Sequence, residues 1–213
     1  MMALLRYELM YYFKNKKELT VISILFLSFF ILLPFSLKYQ LKSLSVLSDS
    51  VLWLAMLTSH SLAGATLYER DRLSGRLDYY PLLPQSLESV VLIKWLASYL
   101  AITMPMVLMT PLVLLLSGRN FFVEIQMLSA ILVGSAAISA ITNLNAALLA
   151  GIGQGAGAIL GLLVLPLAVP VIIFGSAFSH AGDLSYLLVV LGFTGFLLPL
   201  LALGGASCLR HAP

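Results

Sequence analysis

One polar stretch, Tyr68 to Glu88, constrains this chain more than any other feature. Its sequence, YERDRLSGRLDYYPLLPQSLE, holds Glu69, Arg70, Asp71, Arg72, Arg76, Asp78 and Glu88, seven of the 21 Asp, Glu, Lys and Arg residues. The flanking runs are almost wholly apolar. A charge at the centre of a membrane-spanning helix costs about 2.5 to 3.5 kcal/mol on insertion scales, so seven together exclude this segment from hydrocarbon. It is therefore expected in water beside a membrane. Pro81 and Pro84 stop a long helix, and Gly75 offers a break or a cap, which leaves room for one or two short interfacial helices.

The class follows from the remainder. With 61% hydrophobic and 10% charged residues, the chain is far too apolar for a soluble domain or a disordered one. The expected fold is all-α and polytopic, with residues 1–213 as one transmembrane domain. The net charge of +3 does not point to nucleic acid, because no Lys/Arg cluster with interleaved aromatics forms a groove or stripe. Cys208 is the only cysteine, which excludes an internal disulfide framework and a tetracysteine metal site.

Residues 1–18 place Met2, Leu5, Leu9, Tyr12 and Phe13 at helical spacing, with Arg6, Lys14, Lys16 and Lys17 elsewhere. That pattern predicts an amphipathic helix in the headgroup region. A span follows from Leu19 to Leu37, and at about 1.5 Å per residue it just crosses a hydrocarbon core of about 30 Å. Further spans are expected at Val46–Leu67, Val90–Ser117, Phe122–Ala150, from the Gly151–Gly157 turn to Phe178, and at Leu184–Leu209. Asp49, Lys94 and Glu124 fall near span ends, where they are expected to reach headgroups or water. Six crossings put both termini on one side. Arg6, Lys14, Lys16, Lys17, Arg70, Arg72, Arg76, Lys94 and Arg210 then share that side, against Lys38, Lys42 and Arg119 on the other. The positive-inside rule makes it the cytoplasm, and the charged segment lies there too.

Several chemistries lack their motifs. The sequence has no G-x-x-x-x-G-K-[ST] phosphate loop, and the G-x-G-x-x-A match at Gly151–Ala156 has no strand-turn-helix unit around it. Nor is there a paired nucleophile and base, so the chain is not expected to be an enzyme. His60, His180 and His211 are far apart, without an H-x-x-x-H pair or a cysteine cluster, so no metal site is expected. His60 lies mid-span beside Ser59 and Ser61. It is either a neutral imidazole hydrogen-bonded between helices or a functional group. Asn143 and Asn145 either pair between helices or, with His60, line a polar seam. Gly157 and Gly161 permit close helix approach, and Pro166 and Pro170 form either a hinge or a passive kink.

Two sets of residues carry a resemblance. The stretch Asp71, Gly75, Leu77, Asp78, Leu83, Pro84, Leu87, Val91 and Lys94 resembles a signature of the CcmB family, the haem exporter protein B of cytochrome c maturation. Later, Leu163, Val164, Leu165, Pro166, Pro170, Ile173, Phe174 and Gly175 resemble a second motif of the same family. Ser86 departs from the pattern where many relatives have a second proline, and the Gly151–Gly157 turn lacks a basic pair often found there.

The resemblance implies an ABC-2 exporter-like transmembrane domain in the bacterial inner membrane. It binds no cofactor of its own, and ATP is handled by a separate ATPase chain, CcmA. Further implied partners are the membrane subunits CcmC and CcmD, the haem chaperone CcmE indirectly, the lipid bilayer and a second copy of the chain. Haem is the implied cargo of the complex, either exported or leaving on the released chaperone. The alternatives are a permease for another hydrophobic cargo and a non-transporting scaffold that relays force to a haem-handling neighbour.

In relatives the segment between spans two and three docks on the ATPase, which assigns coupling to Arg70, Asp71, Gly75, Leu77, Asp78, Tyr79, Tyr80, Leu83 and Pro84. The residues favour docking independently of the resemblance, since crowded Tyr and Leu side chains are wasted in a loop that faces only water. The bland alternative is a solvated loop kept for topology. A reporter phosphatase fused after Gly75 tests the topology. It is expected to be inactive, as it is in the cytoplasm, and periplasmic activity would reverse the assignment.

Overall fold

Each apolar run becomes a helix, because a backbone N–H or C=O left unpaired in hydrocarbon costs several kcal/mol and a helix pairs them all within one segment. The structure, a computed structural model, describes residues 2–36, 41–117, 124–152 and 157–210, with side chains throughout except at residues 36, 41–46, 124, 151, 152 and 157–163. The elements are α1 (Met2–Lys14), α2 (Lys16–Ser36), α3 (Leu41–Leu67), α4 (Glu69–Leu73), a 3-10 turn (Leu77–Leu82), α5 (Leu87–Leu116), α6 (Glu124–Ile152), α7 (Gly157–Ala181) and α8 (Leu184–Arg210). Six of these helices, α2, α3 and α5 to α8, are long and apolar enough to cross a membrane. They match the six expected spans to within a few residues. Lys38, Arg119 and residues 153–156 of the glycine-rich turn lie outside the described residues, as do the side chains of Lys42 and Glu124 and the packing at Gly157 and Gly161.

Span α6 forms the centre of the bundle and packs against α3, α5, α7 and α8. Its inward faces carry Gly134, Ser135, Ala137, Ser139, Ala140, Thr142, Ala146 and Ala147, all buried. Small side chains let helix backbones approach where no hydrophobic effect drives association. Trp53 of α3 fills the space they leave. It is fully buried, and its indole N–H donates to Ser179 Oγ of α7 at 3.2 Å. A Cβ at Gly134 would lie 2.4 Å from this ring, and one at Gly175 would lie 2.1 Å away. Glycine is required at both positions by the indole, which explains the glycine that ends the second motif.

At one end of the bundle α7 and α8 are joined by a tight turn. Gly182 takes a left-handed φ of 71°, and its N–H donates to Phe178 O at 2.8 Å. Asp183 caps α8 by accepting from Ser185 N–H at 2.9 Å, a bond that holds its carboxyl below the usual range. The other end holds α1, α4, the 3-10 turn and the last turn of α8, where Arg210 pairs with Glu88 at 3.1 Å. Helix α1, the last turn of α8 and the charged segment thus lie at the same end of the bundle.

Pro166 and Pro170 sit within α7, and the helix continues through both. Ser86, the departure from the family pattern, serves as N-cap of α5, its Oγ accepting from Ser89 N–H at 3.3 Å. Gly175→Ala is expected to destabilise the bundle by about 1 to 3 kcal/mol through overpacking against the indole. Thermal unfolding in detergent checks this, and Trp53→Phe in the same background should recover part of the loss.

Candidate functional site

Helix α1 carries Glu8 on the side it turns to α5, where an acid should not be buried unless it is paired. Glu8 is 3% exposed, Asp71 of α4 2% and Lys94 of α5 1%. Lys94 Nζ lies between the two carboxylates, 3.3 Å from Glu8 Oε1 and in direct contact with Asp71 Oδ2. Arg76 bridges the same acids through Nη2 to Glu8 Oε1 at 3.2 Å and Nη1 to Asp71 Oδ1 at 3.1 Å. The four charges sum to zero. Tyr80 adds a hydroxyl that donates to Asp71 Oδ2, and the Tyr68 and Tyr80 rings lie 5.4 and 5.8 Å from Lys94 Nζ.

The segment folds back on itself to build this cluster. Gly75 takes a left-handed φ of 69°, reversing the chain after α4, and Arg76 N–H donates to Asp71 O at 2.8 Å. Burial opposes the Arg76 charge, but Asp71, Tyr80 and Glu8 together raise its pKa above the usual guanidinium value. Burial raises the Tyr80 pKa, and the Asp71 charge raises it further, so its hydroxyl stays a donor. A second polar group lies alongside. Arg70 pairs with Glu18 of α2 at 3.2 Å and donates to Thr66 O at 3.1 Å, with its guanidinium 4.5 Å from the centre of the Tyr11 ring. Tyr12 is buried beneath it, and burial is the main reason its hydroxyl pKa is raised.

This geometry corrects several expectations. The charged segment is not wholly in water, because Asp71, Leu77 and Tyr80 are buried and Arg70 and Arg76 turn inward. Lys94 does not reach headgroups or solvent, since two acids hold it inside; Asp49 is buried as well. The stripe expected on α1 is split. Tyr12 is buried and Leu5 and Leu9 are half-buried, but Met2 and Phe13 are exposed, and Glu8 occupies the inward face. Of the expected coupling set the segment keeps Tyr79 outward at 66% exposure, with Asp78 and Pro84 also exposed and Leu83 half-buried, and it presents Leu73 at 78%, Leu82 at 77% and Pro81 beside them.

The polar residues in mid-bundle do not gather into one seam. Asn143 is buried against α5, donating to Ser98 Oγ at 3.0 Å and to Ser139 O at 2.7 Å. Asn145, two residues on and so on nearly the opposite face of the helix, lines a lateral groove beside α3 and α7. His60 is buried, and its Nδ1–H donates to Met56 O of its own helix at 2.9 Å. His180 is exposed. Among the described residues no group of three His, Cys, Asp or Glu side chains is arranged to hold a metal ion.

A family model for CcmB protein matches residues 1–208. The chain belongs to the CcmB family. It is 33% identical over 156 residues to a protein of Bradyrhizobium diazoefficiens named Heme exporter protein B, covering 73% of this chain and 70% of that protein. A protein of the same name from Pseudomonas aeruginosa is 32% identical over 169 residues, 79% of this chain and 75% of its own. The namesake from Escherichia coli is 31% identical over 197 residues, 92% and 88% of the two chains. With its six apolar helices, this CcmB family member is a multi-pass membrane protein.

Asp71, Gly75 and Lys94, which carried the first motif, are parts of one cluster in this CcmB family chain. Glu8, Tyr68 and Arg76, which complete it together with Tyr80, were not among the candidate site residues read from the sequence. The signal for Glu8 was available: an acid at helical spacing between Leu5 and Tyr12 on the inward side of an amphipathic helix. Lys94→Met should leave two buried carboxylates, Glu8 and Asp71, with Arg76 as their one remaining cation, and cost about 3 to 5 kcal/mol. Glu8→Gln, which leaves the Lys94–Asp71 pair intact, should cost less. Melting temperatures of the two variants in detergent decide this.

Proposed function

We infer that this chain is the membrane permease subunit of an ABC-type complex for cytochrome c maturation. The observation that carries the reading is the division of residues 69–84 into two faces. The inner face is locked into the bundle by ion pairs. The outer face presents Leu73, Tyr79, Pro81 and Leu82 at the end that holds α1 and the last turn of α8. Such apolar and aromatic side chains, rimmed by Glu69 and Asp78, suit a protein partner better than water.

The partner is a separate ATPase chain, CcmA, since this chain carries no phosphate loop of its own. The positive-inside distribution supports a cytoplasmic placement of that end, with the protein in the bacterial inner membrane. CcmC and CcmD are the expected membrane neighbours. Haem is the cargo named by the relatives, and the haem-loaded chaperone CcmE is the species that ATP turnover would release.

One observation favours force relay over a conduit within this subunit. His60, Asn143 and Asn145 point to different neighbours rather than to a shared path. In the relay reading, the segment receives the ATPase stroke on its outer face and passes it through Arg76 and Asp71 to Lys94 of α5.

Tyr79→Asp and Leu82→Asp should abolish co-purification of the ATPase and cytochrome c yield while the bundle melts normally. Tyr80→Asp and Leu77→Asp should instead destabilise the bundle, because they place a charge in a buried site. Normal ATPase recovery in both exposed variants would sink the docking assignment.

A further inference from the structure

The first 18 residues contain two acids, Glu8 and Glu18, and both are consumed inside the bundle. Glu8 serves Lys94 and Arg76, while Glu18 accepts from Arg70 and, at 2.7 Å, from Thr66 Oγ1. The tertiary structure therefore turns a stretch of mixed charge into a cationic surface. Arg6, Lys14, Lys16 and Lys17 are all exposed, and none has an acidic partner among the described residues.

Lys17 lines a cavity of about 340 Å³ between α2 and α3, walled also by Glu18, Val21, Ile22, Leu62 and Thr66, with the Glu18 carboxylate already engaged by Arg70 and Thr66. Through Leu62 this cavity adjoins a larger one of about 700 Å³, walled mainly by Leu25, Leu54, Leu57, Leu149 and Val164. Val21, Leu54 and Leu62 are themselves exposed, so the groove opens sideways to the bilayer. One unpaired cation thus caps a long apolar slot at the level where α2 enters the membrane.

We propose that this groove is a binding site for an anionic phospholipid, its phosphate on Lys17 with Lys14 and Lys16 beside it and an acyl chain lying along α2 and α3. Juxtamembrane lysines attract anionic headgroups, and basic pockets between spanning helices hold them. The acyl chain fills a slot that offers few polar partners. The site does not depend on the ATPase reading, although Glu18 ties its rim to Arg70.

The test reconstitutes the full chain with equal amounts of phosphatidylglycerol and phosphatidylcholine, strips the bulk lipid, and counts retained lipids by native mass spectrometry. Phosphatidylglycerol is expected to be enriched by about fivefold for each lysine that meets the headgroup. Lys17→Gln should reduce the enrichment, and Lys14→Gln, Lys16→Gln and Lys17→Gln together should remove it. Val21→Trp should fill the slot and release the retained lipid. All four positions are exposed, so melting temperatures should stay at the wild-type value. Equal retention of the two lipids, undiminished enrichment in the triple variant, or wild-type retention in Val21→Trp would each overturn the proposal. So would displacement of the phosphatidylglycerol by equimolar haemin, which would make the groove a cargo site.

Discussion

Lys94 is held at the start of a spanning helix by two buried carboxylates from two other elements, and the architecture of that end depends on this contact. Removing an ion from water costs several kcal/mol, and only close counter-charges recover it. Glu8 and Asp71 supply them, and Arg76 completes a neutral set. A complete set of this kind is tolerated, whereas a broken one leaves a charge stranded. The energetic asymmetry ties α1, the charged segment and α5 to one relative arrangement.

That lock gives the segment its two faces. Gly75 reverses the chain so that Arg76 returns to Asp71, and the 3-10 turn then places Leu77 and Tyr80 inside and Tyr79 and Leu82 outside. A loop free in water would present all of these side chains in turn. Here the outward set is fixed by what the inward set must satisfy. A rigid handle can pass a displacement to α5, whereas a flexible one would absorb it.

The mid-bundle follows a different economy. Small residues on α6 admit close neighbours, Trp53 fills the gap they leave, and the polar side chains there mostly bond within their own helix or to one adjoining helix. Asn143 serves α5 and Asn145 serves the lateral groove, because two residues along an α-helix turn about 200°. Such an interior is built for packing, and the groove that Asn145 lines opens to the bilayer rather than to the bundle axis.

The sequence by itself determined the class, the six spans and the family. These depend on properties summed over 20 or more residues, such as hydropathy, or on short ordered motifs, and both survive without knowing which helix meets which. The tertiary structure alone decided which charges are buried, which tyrosines face outward, and that Glu8 belongs with Asp71 and Lys94. Those partners are separated by 63 and 86 positions along the chain. Whether a carboxylate is solvated or locked depends on what stands within a few ångströms of it, a distance that only packing sets.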